Sequence, residues 1–458
     1  MKATSPALIA ILILTLVLQA AGARSPVLPS DSDIREILVE RIDKYKQSVG
    51  IVVGVIEPAG RRVVTYGKLA AGDPRALDGD TVFEIGSITK VFTSLVLADM
   101  VEHHEVELTD PAATYLPSEV QLPQRDGQAI TLQDLATHRS GLPRMPSNVD
   151  PVDPSNPYAD YPLQRLYAFL SSYRLPRNID ARFEYSNLGG ALLGHVLERR
   201  AGLDYETLVE TRVTKPLHMA NTRVALTEEM KSHLAVGHAY GLEPTPNWDL
   251  GALVAAGGLH STANDLLTFL SAHLGYVESP LAKAMASMVD VPLAWFVESP
   301  GGRRIVFHDG TTGGYRCFLG YDPQARTGVV VLSNSGTGAS IDDIALHVLN
   351  DNVPLRGARD LVPPKARKQV EIESQVLDAY TGTYRFASSQ MATVSRSGSH
   401  LYLHAEGEVK LAFYPESNQQ FFAKIMDAQI TFVRDADGHV RELLFHRNGA
   451  TERVKRVD

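Results

Sequence analysis

Thr81-Val-Phe-Glu-Ile-Gly-Ser-Ile-Thr-Lys90 decides the fold of this chain, because its pattern changes from strand to helix around a single glycine. The first five residues are rich in β-branched and aromatic side chains, and Gly86 then interrupts the pattern. From Ile88 to Leu95 the apolar residues recur at helical spacing on one side. We therefore predict a strand followed by a helix whose first turn contains Ser87.

Ser87-x-x-Lys90 is the only S-x-x-K in the sequence, and it is a candidate for nucleophilic chemistry. Side chains three residues apart lie on the same side of a helix, with β-carbons about 5–6 Å apart. A hydroxyl becomes a good nucleophile when a nearby base removes its proton, and a lysine shielded from water can be that base. The alternative is an ordinary helix cap followed by a solvated lysine.

Tyr185-Ser-Asn187 is the only Y-x-N in the chain, and it precedes a helix-like run from Leu188 to Gly194. A phenol near Lys90 can relay a proton, and the Asn187 amide can hydrogen bond Lys90 and a substrate amide. The alternative is a loop tyrosine beside a residue that caps the helix.

His308-Asp-Gly310 lies at the end of one predicted strand and leads into the next. The small residues after it allow a substrate to approach the backbone closely. We predict that the backbone N–H of Thr311 joins that of Ser87 in an oxyanion hole. The alternative is a histidine that is merely buried at a strand end, and His273-Leu-Gly275 also matches H-x-G.

The composition excludes several classes of function. The chain has 458 residues and a net charge of −9, and no basic stripe suggests nucleic-acid binding. Neither a G-x-S-x-G nucleophile elbow nor an H-E-x-x-H zinc motif occurs in it. Cys317 is the only cysteine, so an intramolecular disulfide is impossible, and we expect a buried, unreactive thiol.

The first 23 residues are typical of a secretory signal peptide. Lys2 precedes an apolar run from Ala7 to Leu18, and Ala21-Gly-Ala23 matches a cleavage site. The apolar run is short for a membrane span. We therefore expect cleavage before Arg24, a secreted or periplasmic protein, and no stable membrane span afterwards.

The rest of the chain is expected to form two structured regions. Residues 33–47 predict an amphipathic helix, and residues 51–57 and 62–66 predict a β-hairpin. Helices and proline-rich loops follow up to about residue 270, and strands return at 304–308, 315–321 and 328–333 before a helix at 341–349. This order favours an α/β (α+β) domain, in which one antiparallel sheet is flanked by helices and joined to a helical subdomain.

The sequence pattern changes after a proline-containing linker, from helices and long loops to short strands. Short strands separated by turn signals run from residue 380 to residue 456, with hairpin turns at Asp437-Gly438 and Asn448-Gly449. We predict a small all-β barrel. The expected boundaries are 1–23 for the signal peptide, 24–355 for the catalytic domain, 356–370 for the linker and 371–458 for the β-domain.

Taken in order, these motifs resemble the serine β-lactamase and penicillin-binding-protein superfamily. Tyr185-x-Asn187 is similar to the middle motif of class C β-lactamases and D-alanyl-D-alanine carboxypeptidases. The stretches Leu135-Ala-Thr-His-Arg-Ser-Gly-Leu142 and Ala256-Gly-Gly-Leu-His-Ser-Thr-Ala-Asn-Asp265 are also similar to this branch. The resemblance covers about residues 33–350, and the C-terminal region resembles the lipocalin-like domains of some members.

The resemblance implies a β-lactamase/transpeptidase-like fold and a serine hydrolase that forms an acyl-enzyme. Ser87 would be the nucleophile, and Lys90 and Tyr185 would share the role of base, with the choice between them open. Asn187, His308, Gly310 and Thr311 would bind substrate. No metal or organic cofactor is implied. The implied partner is a small molecule or a peptidoglycan peptide, and the oligomeric state stays open.

One departure from the family pattern bears on the substrate. Neither K-T-G nor K-S-G occurs in the chain, and His308 and Asp309 stand where the lysine and the hydroxyl residue would be. Histidine carries only part of a charge near neutral pH. Three hypotheses follow: a hydrolase of D-amino-acid peptides or β-lactams, a carboxylesterase on the same scaffold, and a non-turnover penicillin-binding or sensing protein.

Overall fold

The computed structural model describes residues 28–336, 341–365, 367–405, 408, 410–447 and 449–458, and the expected signal peptide lies outside them. The α-helices are α1 (Asp31–Val39), α2 (Thr89–Glu102), α3 (Leu132–Ala136), α4 (Leu163–Ser172), α5 (Asn187–Ala201), α6 (Tyr205–Val209), α7 (Glu228–Ser232), α8 (Ala263–His273), α9 (Ala282–Asp290), α10 (Asp342–Leu349) and α11 (Ser374–Asp378). No helix among the described residues is long and apolar enough to cross a membrane.

The strands form a catalytic-domain set and a C-terminal set. The first is β1 (Gly50–Glu57), β2 (Gly60–Gly67), β3 (Val82–Glu84), β4 (His260–Thr262), β5 (Phe296–Glu298), β6 (Ile305–Thr311), β7 (Arg316–Asp322) and β8 (Thr327–Ser333). The second is β9 (Gly382–Arg385), β10 (Met391–Ser397), β11 (His400–Ala405), β12 (Leu411–Pro415), β13 (Gln420–Phe422), β14 (Ala428–Arg434), β15 (Val440–Arg447) and β16 (Ala450–Arg456).

The main sheet is antiparallel and joins strands from both ends of the catalytic domain. Its order is β2-β1-β8-β7-β6-β5, so β1 of the early hairpin pairs with β8 from the end of the domain, with Ile51 opposite Ser333. In β1 and β8 almost every residue is buried, as expected for strands that are covered on both faces. The predicted antiparallel sheet flanked by helices is confirmed.

One face of the sheet is covered by α1 and α10. Ile34 and Leu38 of α1 pack with Ile344 and Val348 of α10 and with alternate side chains of β1 and β8. The helix predicted over 33–47 is shorter as an α-helix, because α1 ends at Val39 and a π-helical turn continues to Lys44.

The opposite face packs against the central helix α2. Nearly all of its residues are buried, including polar ones, so it lies in the interior of the helical region. The side chains of Phe92 and Phe269 of α8 contact each other with ring centroids 4.7 Å apart. The strand β3, which precedes α2, pairs with β4 in a separate two-stranded sheet. This packing holds the S-x-x-K segment against the sheet edge.

The C-terminal strands close into a barrel of order β10-β11-β12-β13-β14-β15-β16-β9. Its core contains large aromatic side chains, with the rings of Tyr380 and Phe432 stacked 3.9 Å apart. The predicted all-β barrel is confirmed. Of the two predicted hairpin turns, Gly438 has a positive φ of 84°, whereas Asn448 lies outside the described residues.

The barrel contacts the loops of the catalytic domain. Lys410 Nζ lies 2.7 Å from Asp150 Oδ1, and the N–H of Tyr240 donates to the carbonyl of Lys424 at 3.2 Å. Asp150 lies in the proline-rich loop before α4. The two domains therefore meet over the same loops that lead to the candidate site.

Candidate active site

Ser87 lies in a tight turn between β3 and α2. The residues Gly86–Ile88 form a 3-10 turn and the α-helix begins at Thr89, so Ser87 precedes the α-helix in which it was expected. Gly86 has a positive φ of 50°, which glycine adopts at little cost. A β-carbon at Gly86 would lie 2.7 Å from the Thr311 nitrogen, so this turn needs glycine to approach β6.

Lys90 lies one helical turn after Ser87 and is fully buried beneath it. Its Nζ is 2.9 Å from Ser87 Oγ and donates to the carbonyl of Ala256 at 2.6 Å. Burial lowers the pKa of Lys90 well below its usual value, and the charge of Arg144 lowers it further. A neutral amine has a lone pair, so the 2.9 Å contact can also form with the Ser87 hydroxyl as donor.

Tyr185 comes from the loop before α5 and completes the group. Lys90 Nζ lies 4.9 Å from the centroid of its ring. Burial raises the pKa of the Tyr185 phenol, and a hydrogen bond with Ser87 opposes that shift. The phenol is therefore protonated at neutral pH. The structure brings together the three side chains for which the sequence predicted a catalytic role.

Asn187 is the first residue of α5, and within the described structure its side chain does not make the hydrogen bond to Lys90 that was predicted from the sequence. Its side-chain nitrogen donates to the sulfur of Met145 at 3.3 Å, whereas the described hydrogen bonds of Lys90 go to Ser87 and Ala256. The expected bond from Asn187 to Lys90 is thus not formed among the described residues. Its backbone N–H donates to the carbonyl of Arg144 at 2.9 Å, which ties the start of α5 to the cavity wall.

His138 holds the loop that carries Tyr185 in place. From the sequence, His138 had no predicted role of its own and was included only in the stretch 135–142 that resembles the family. Its ring lies 4.4 Å from that of Tyr185, and its Nδ1 accepts the backbone N–H of Ser186 at 3.2 Å. Burial lowers the pKa of His138 well below its usual value. Its φ of 59° is uncommon for a non-glycine residue. The neutral His138 ring therefore packs against Tyr185 and fixes the backbone of the next residue, Ser186.

His308 is buried inside the strand edge and does not point freely into the cavity. Burial lowers its pKa to about 4, and Asp309 and Lys90 have smaller, opposing effects. Its ring lies 5.0 Å from that of Phe296 and 6.1 Å from that of Tyr185. Asp309, the next residue, lines the cavity instead. His308 is therefore uncharged at neutral pH, and the charge on this wall comes from Asp309.

Gly310 and Thr311 bring the backbone of β6 against the Ser87 turn. A β-carbon at Gly310 would overlap the carbonyl oxygen of Ile85 and lie 3.3 Å from the Ser87 nitrogen. The Thr311 nitrogen lies beside Gly86, as described above. The two backbone nitrogens predicted to form an oxyanion hole therefore both lie where β6 packs against the Ser87 turn.

The cavity in front of Ser87 is large and is shared by both domains. Its volume is about 1410 Å³, above the range of about 300–1,000 Å³ common for small-molecule sites. The catalytic domain contributes Arg144, Tyr158 and Trp248, and the barrel contributes side chains that include Lys410 and Phe445. The sequence contained no signal for this barrel wall, because no motif in residues 371–458 indicates where the barrel docks.

Glu84 lies behind the cavity wall and links pH to stability. One carboxylate oxygen accepts the backbone N–H of Trp248 at 2.7 Å, and burial raises the pKa of Glu84 to about 7. The folded state then binds this proton more tightly than the unfolded state, whose pKa is near 4.5. The contribution of Glu84 to stability is present below about pH 4.5 and is lost as the pH rises to about 7.

We expect Glu84→Gln to remove this loss, because the amide stays neutral. The difference in free energy of unfolding between variant and wild type should shift in favour of the variant by up to about 3 kcal/mol from pH 4.5 to pH 8. Denaturant unfolding at several pH values measures it. A difference that does not change with pH would contradict the assignment.

The chain is similar to known proteins over most of its length. The family model described as Beta-lactamase matches residues 37–351, and one described as Domain of unknown function (DUF3471) matches residues 366–456. A D-alanyl-D-alanine-carboxypeptidase/endopeptidase, AmpH, of Escherichia coli strain K12 is 27% identical over 359 residues, which cover 73% of this chain and 91% of that protein. Penicillin-binding protein 4* of Bacillus subtilis strain 168 is 25% identical over 440 residues, covering 86% and 91%.

Solved structures show the same fold. A class C beta lactamase from Rhodobacter sphaeroides superposes with a TM-score of 0.60 at 25% identity, covering 70% of this chain and 99% of that one. An octameric penicillin-binding protein homologue from Pyrococcus abyssi has a TM-score of 0.63 at 22% identity, and covers 93% of this chain and 100% of that one. The fold is that of the β-lactamase/transpeptidase class. The chain belongs to the beta-lactamase family and is a serine hydrolase of this family.

Proposed function

We propose that this protein hydrolyses peptide bonds next to D-amino acids, as a D-alanyl-D-alanine carboxypeptidase or endopeptidase, with Ser87 as nucleophile. The observation that carries the proposal is the Ser87, Lys90 and Tyr185 cluster at the base of a cavity of about 1410 Å³. The similarity to the AmpH protein supports the same substrate class.

The first step is acylation. Lys90 takes the proton of Ser87 as Oγ bonds to the substrate carbonyl carbon, because burial favours the neutral amine of Lys90 and the protonated phenol of Tyr185. The N–H groups of Ser87 and Thr311 stabilise the negative carbonyl oxygen. The C–N bond then breaks, and the proton passes through Tyr185 to the leaving amine, which gives an acyl-enzyme and a free amine.

The second step is hydrolysis of the acyl-enzyme. Water adds to the same carbonyl carbon as Lys90 accepts one proton from it, and the bond between that carbon and Ser87 Oγ then breaks as the proton returns to Oγ. The atoms balance as one peptide bond and one water giving a carboxylic acid and an amine. Asn187 and the edge of β6 from His308 to Thr311 bind the substrate backbone on the two sides of the cavity.

The size and walls of the cavity favour an extended substrate. A β-lactam or a short ester would leave much of the cavity unfilled, whereas a peptide attached to a polymer can contact both the catalytic domain and the barrel. A carboxylesterase is the second candidate. It is favoured by the neutral His308 and by Asp309, which provide no cation on β6 for a substrate carboxylate.

An activity assay distinguishes the two candidates. We expect the wild-type protein to release D-alanine from an N-acylated L-Lys-D-Ala-D-Ala peptide, and the Ser87→Ala variant to release none. Mass spectrometry should show a covalent adduct on Ser87 after incubation with a penicillin. Fast turnover of p-nitrophenyl acetate without any release of D-alanine would instead support the esterase, and turnover by Ser87→Ala would contradict both.

We also propose that the protein is exported and acts outside the cytoplasm, where peptidoglycan peptides are found. The signal pattern of residues 1–23 supports this proposal. Mass spectrometry of the protein recovered from the expressing cells should show an N-terminus at Arg24. An intact N-terminus at Met1 would contradict export by this route.

A further inference from the structure

We propose that Arg144 is a specificity-determining residue that binds a carboxylate of the substrate in the cavity in front of Ser87. This proposal rests on the proposed function, because it names a chemical feature of the peptide. It concerns a residue that no sequence motif singled out.

The position of Arg144 is fixed next to the reacting groups. Its guanidinium carbon lies 5.0 Å from the centroid of the Tyr185 ring, and its side chain lines the same cavity as Ser87. Its own carbonyl accepts the backbone N–H groups of Asn187 and Leu188 at 2.9 and 3.3 Å. The backbone at Arg144 is thus anchored to the first turn of α5, while its guanidinium faces the cavity.

Inside the protein, the charge of Arg144 acts on Lys90 and lies over the Tyr185 ring. Arg144 is exposed, and within the described ranges no carboxylate forms an ion pair with its guanidinium. Lys90 and His308 are different, because burial disfavours the charged form of Lys90 and lowers the pKa of His308 to about 4. A substrate anion beside Ser87 therefore finds a permanent positive charge at Arg144.

A negative charge on β6 favours the same position for the anion. Asp309 lines the cavity on β6 and repels a carboxylate there. Arg316 on β7 also lines the cavity, but the charges of Asp342 and Asp309 both act on it and oppose its attraction for an anion. The guanidinium of Arg144 presents a planar pair of N–H donors, which matches the two oxygens of a carboxylate. In a D-amino-acid peptide that carboxylate is either the C-terminus or an acidic side chain before the scissile bond.

Binding to a Ser87→Ala background tests the assignment without relying on turnover. Three peptides serve as probes in calorimetry: N-acetyl-L-Lys-D-Ala-D-Ala as the free acid, the same peptide as the C-terminal amide, and N-acetyl-L-Glu-D-Ala-D-Ala as the amide. We expect one of the two carboxylate peptides to bind at least about tenfold more tightly than the neutral-ended lysine peptide. Tighter binding of the free-acid peptide would show that Arg144 binds the C-terminal carboxylate, and tighter binding of the glutamate peptide would show that it binds a side-chain carboxylate.

A second substitution then assigns the effect. In Arg144→Leu the preference should fall to less than about twofold, Arg144→Lys should retain part of it, and Arg174→Leu should leave it unchanged. Arg174 is a suitable control because it is an exposed arginine outside the cavity. Equal dissociation constants for all three peptides, no binding of any of them, or a preference that survives Arg144→Leu would each overturn the proposal. If the peptides bound as expected but the wild-type protein released no D-alanine, the result would count against the proposed function and not against the role of Arg144.

Discussion

Replacing Lys90 by methionine is expected to lower the rate of Ser87 acylation by about 10³-fold or more. General-base assistance contributes about 10²–10⁴-fold, and Lys90 Nζ lies within hydrogen-bond distance of the Ser87 hydroxyl. Stability should change far less, by about 1–2 kcal/mol, because methionine has a similar shape and the main loss is the bond to the Ala256 carbonyl. Stopped-flow measurement of acylation by p-nitrophenyl acetate and calorimetric melting give the two quantities.

The dependence on pH provides a second readout for Lys90. In the wild type, acylation should fall as the pH drops through the lowered pKa of Lys90, because the ammonium form cannot accept a proton. The variant should lack this limb. Lys231→Met is a matched control, since Lys231 is an exposed lysine of α7 that pairs with Glu228. A large drop in melting temperature with normal acylation would make Lys90 a structural residue.

Replacing Gly310 by alanine is expected to lower kcat/KM by about 10²-fold or more and to destabilise the fold by about 1–3 kcal/mol. The added β-carbon meets backbone atoms of Ile85 and Ser87, which cannot rotate away as a side chain can. The β6 edge must therefore move back from the Ser87 turn, which separates the two N–H groups of the oxyanion hole. Steady-state kinetics and thermal melting of the purified variant measure both effects.

Gly357→Ala is the control for this substitution. A β-carbon at Gly357 would have no heavy atom within 4 Å, so neither activity nor melting temperature should change beyond experimental error. If Gly310→Ala behaved in the same way, β6 would not need to approach the Ser87 turn as closely as the structure shows. The oxyanion hole would then have to be placed elsewhere.

Local patterns accounted for much of the fold. The hairpin of β1 and β2, the strand before Ser87 and the later strands of the sheet were predictable, because each has a strong periodicity and a clear turn signal. The ends of helices were predicted less accurately. The predicted helix over 33–47 becomes π-helical after Val39, since its buried and exposed faces are set by packing against the sheet and not by spacing alone.

The candidate site was predictable where chemistry and spacing coincide. Ser87, Lys90 and Tyr185 were chosen from two motifs that occur once each, and the structure places them in contact. Asn187 was expected to hold Lys90, but its amide instead donates to Met145. Such a bond depends on the position of a loop that the sequence pattern does not specify.

The sequence alone was enough to predict Ser87 as the nucleophile, Lys90 beside it and a β-barrel after the sheet-containing domain, because these predictions depend on residues close together in the chain. Only the tertiary structure decided that burial lowers the pKa of Lys90, that His308 is buried and that Arg144 lines the same cavity as Ser87. It also decided that the barrel forms part of the cavity wall. These properties arise from desolvation and from contacts between segments far apart in sequence, and no local pattern encodes either.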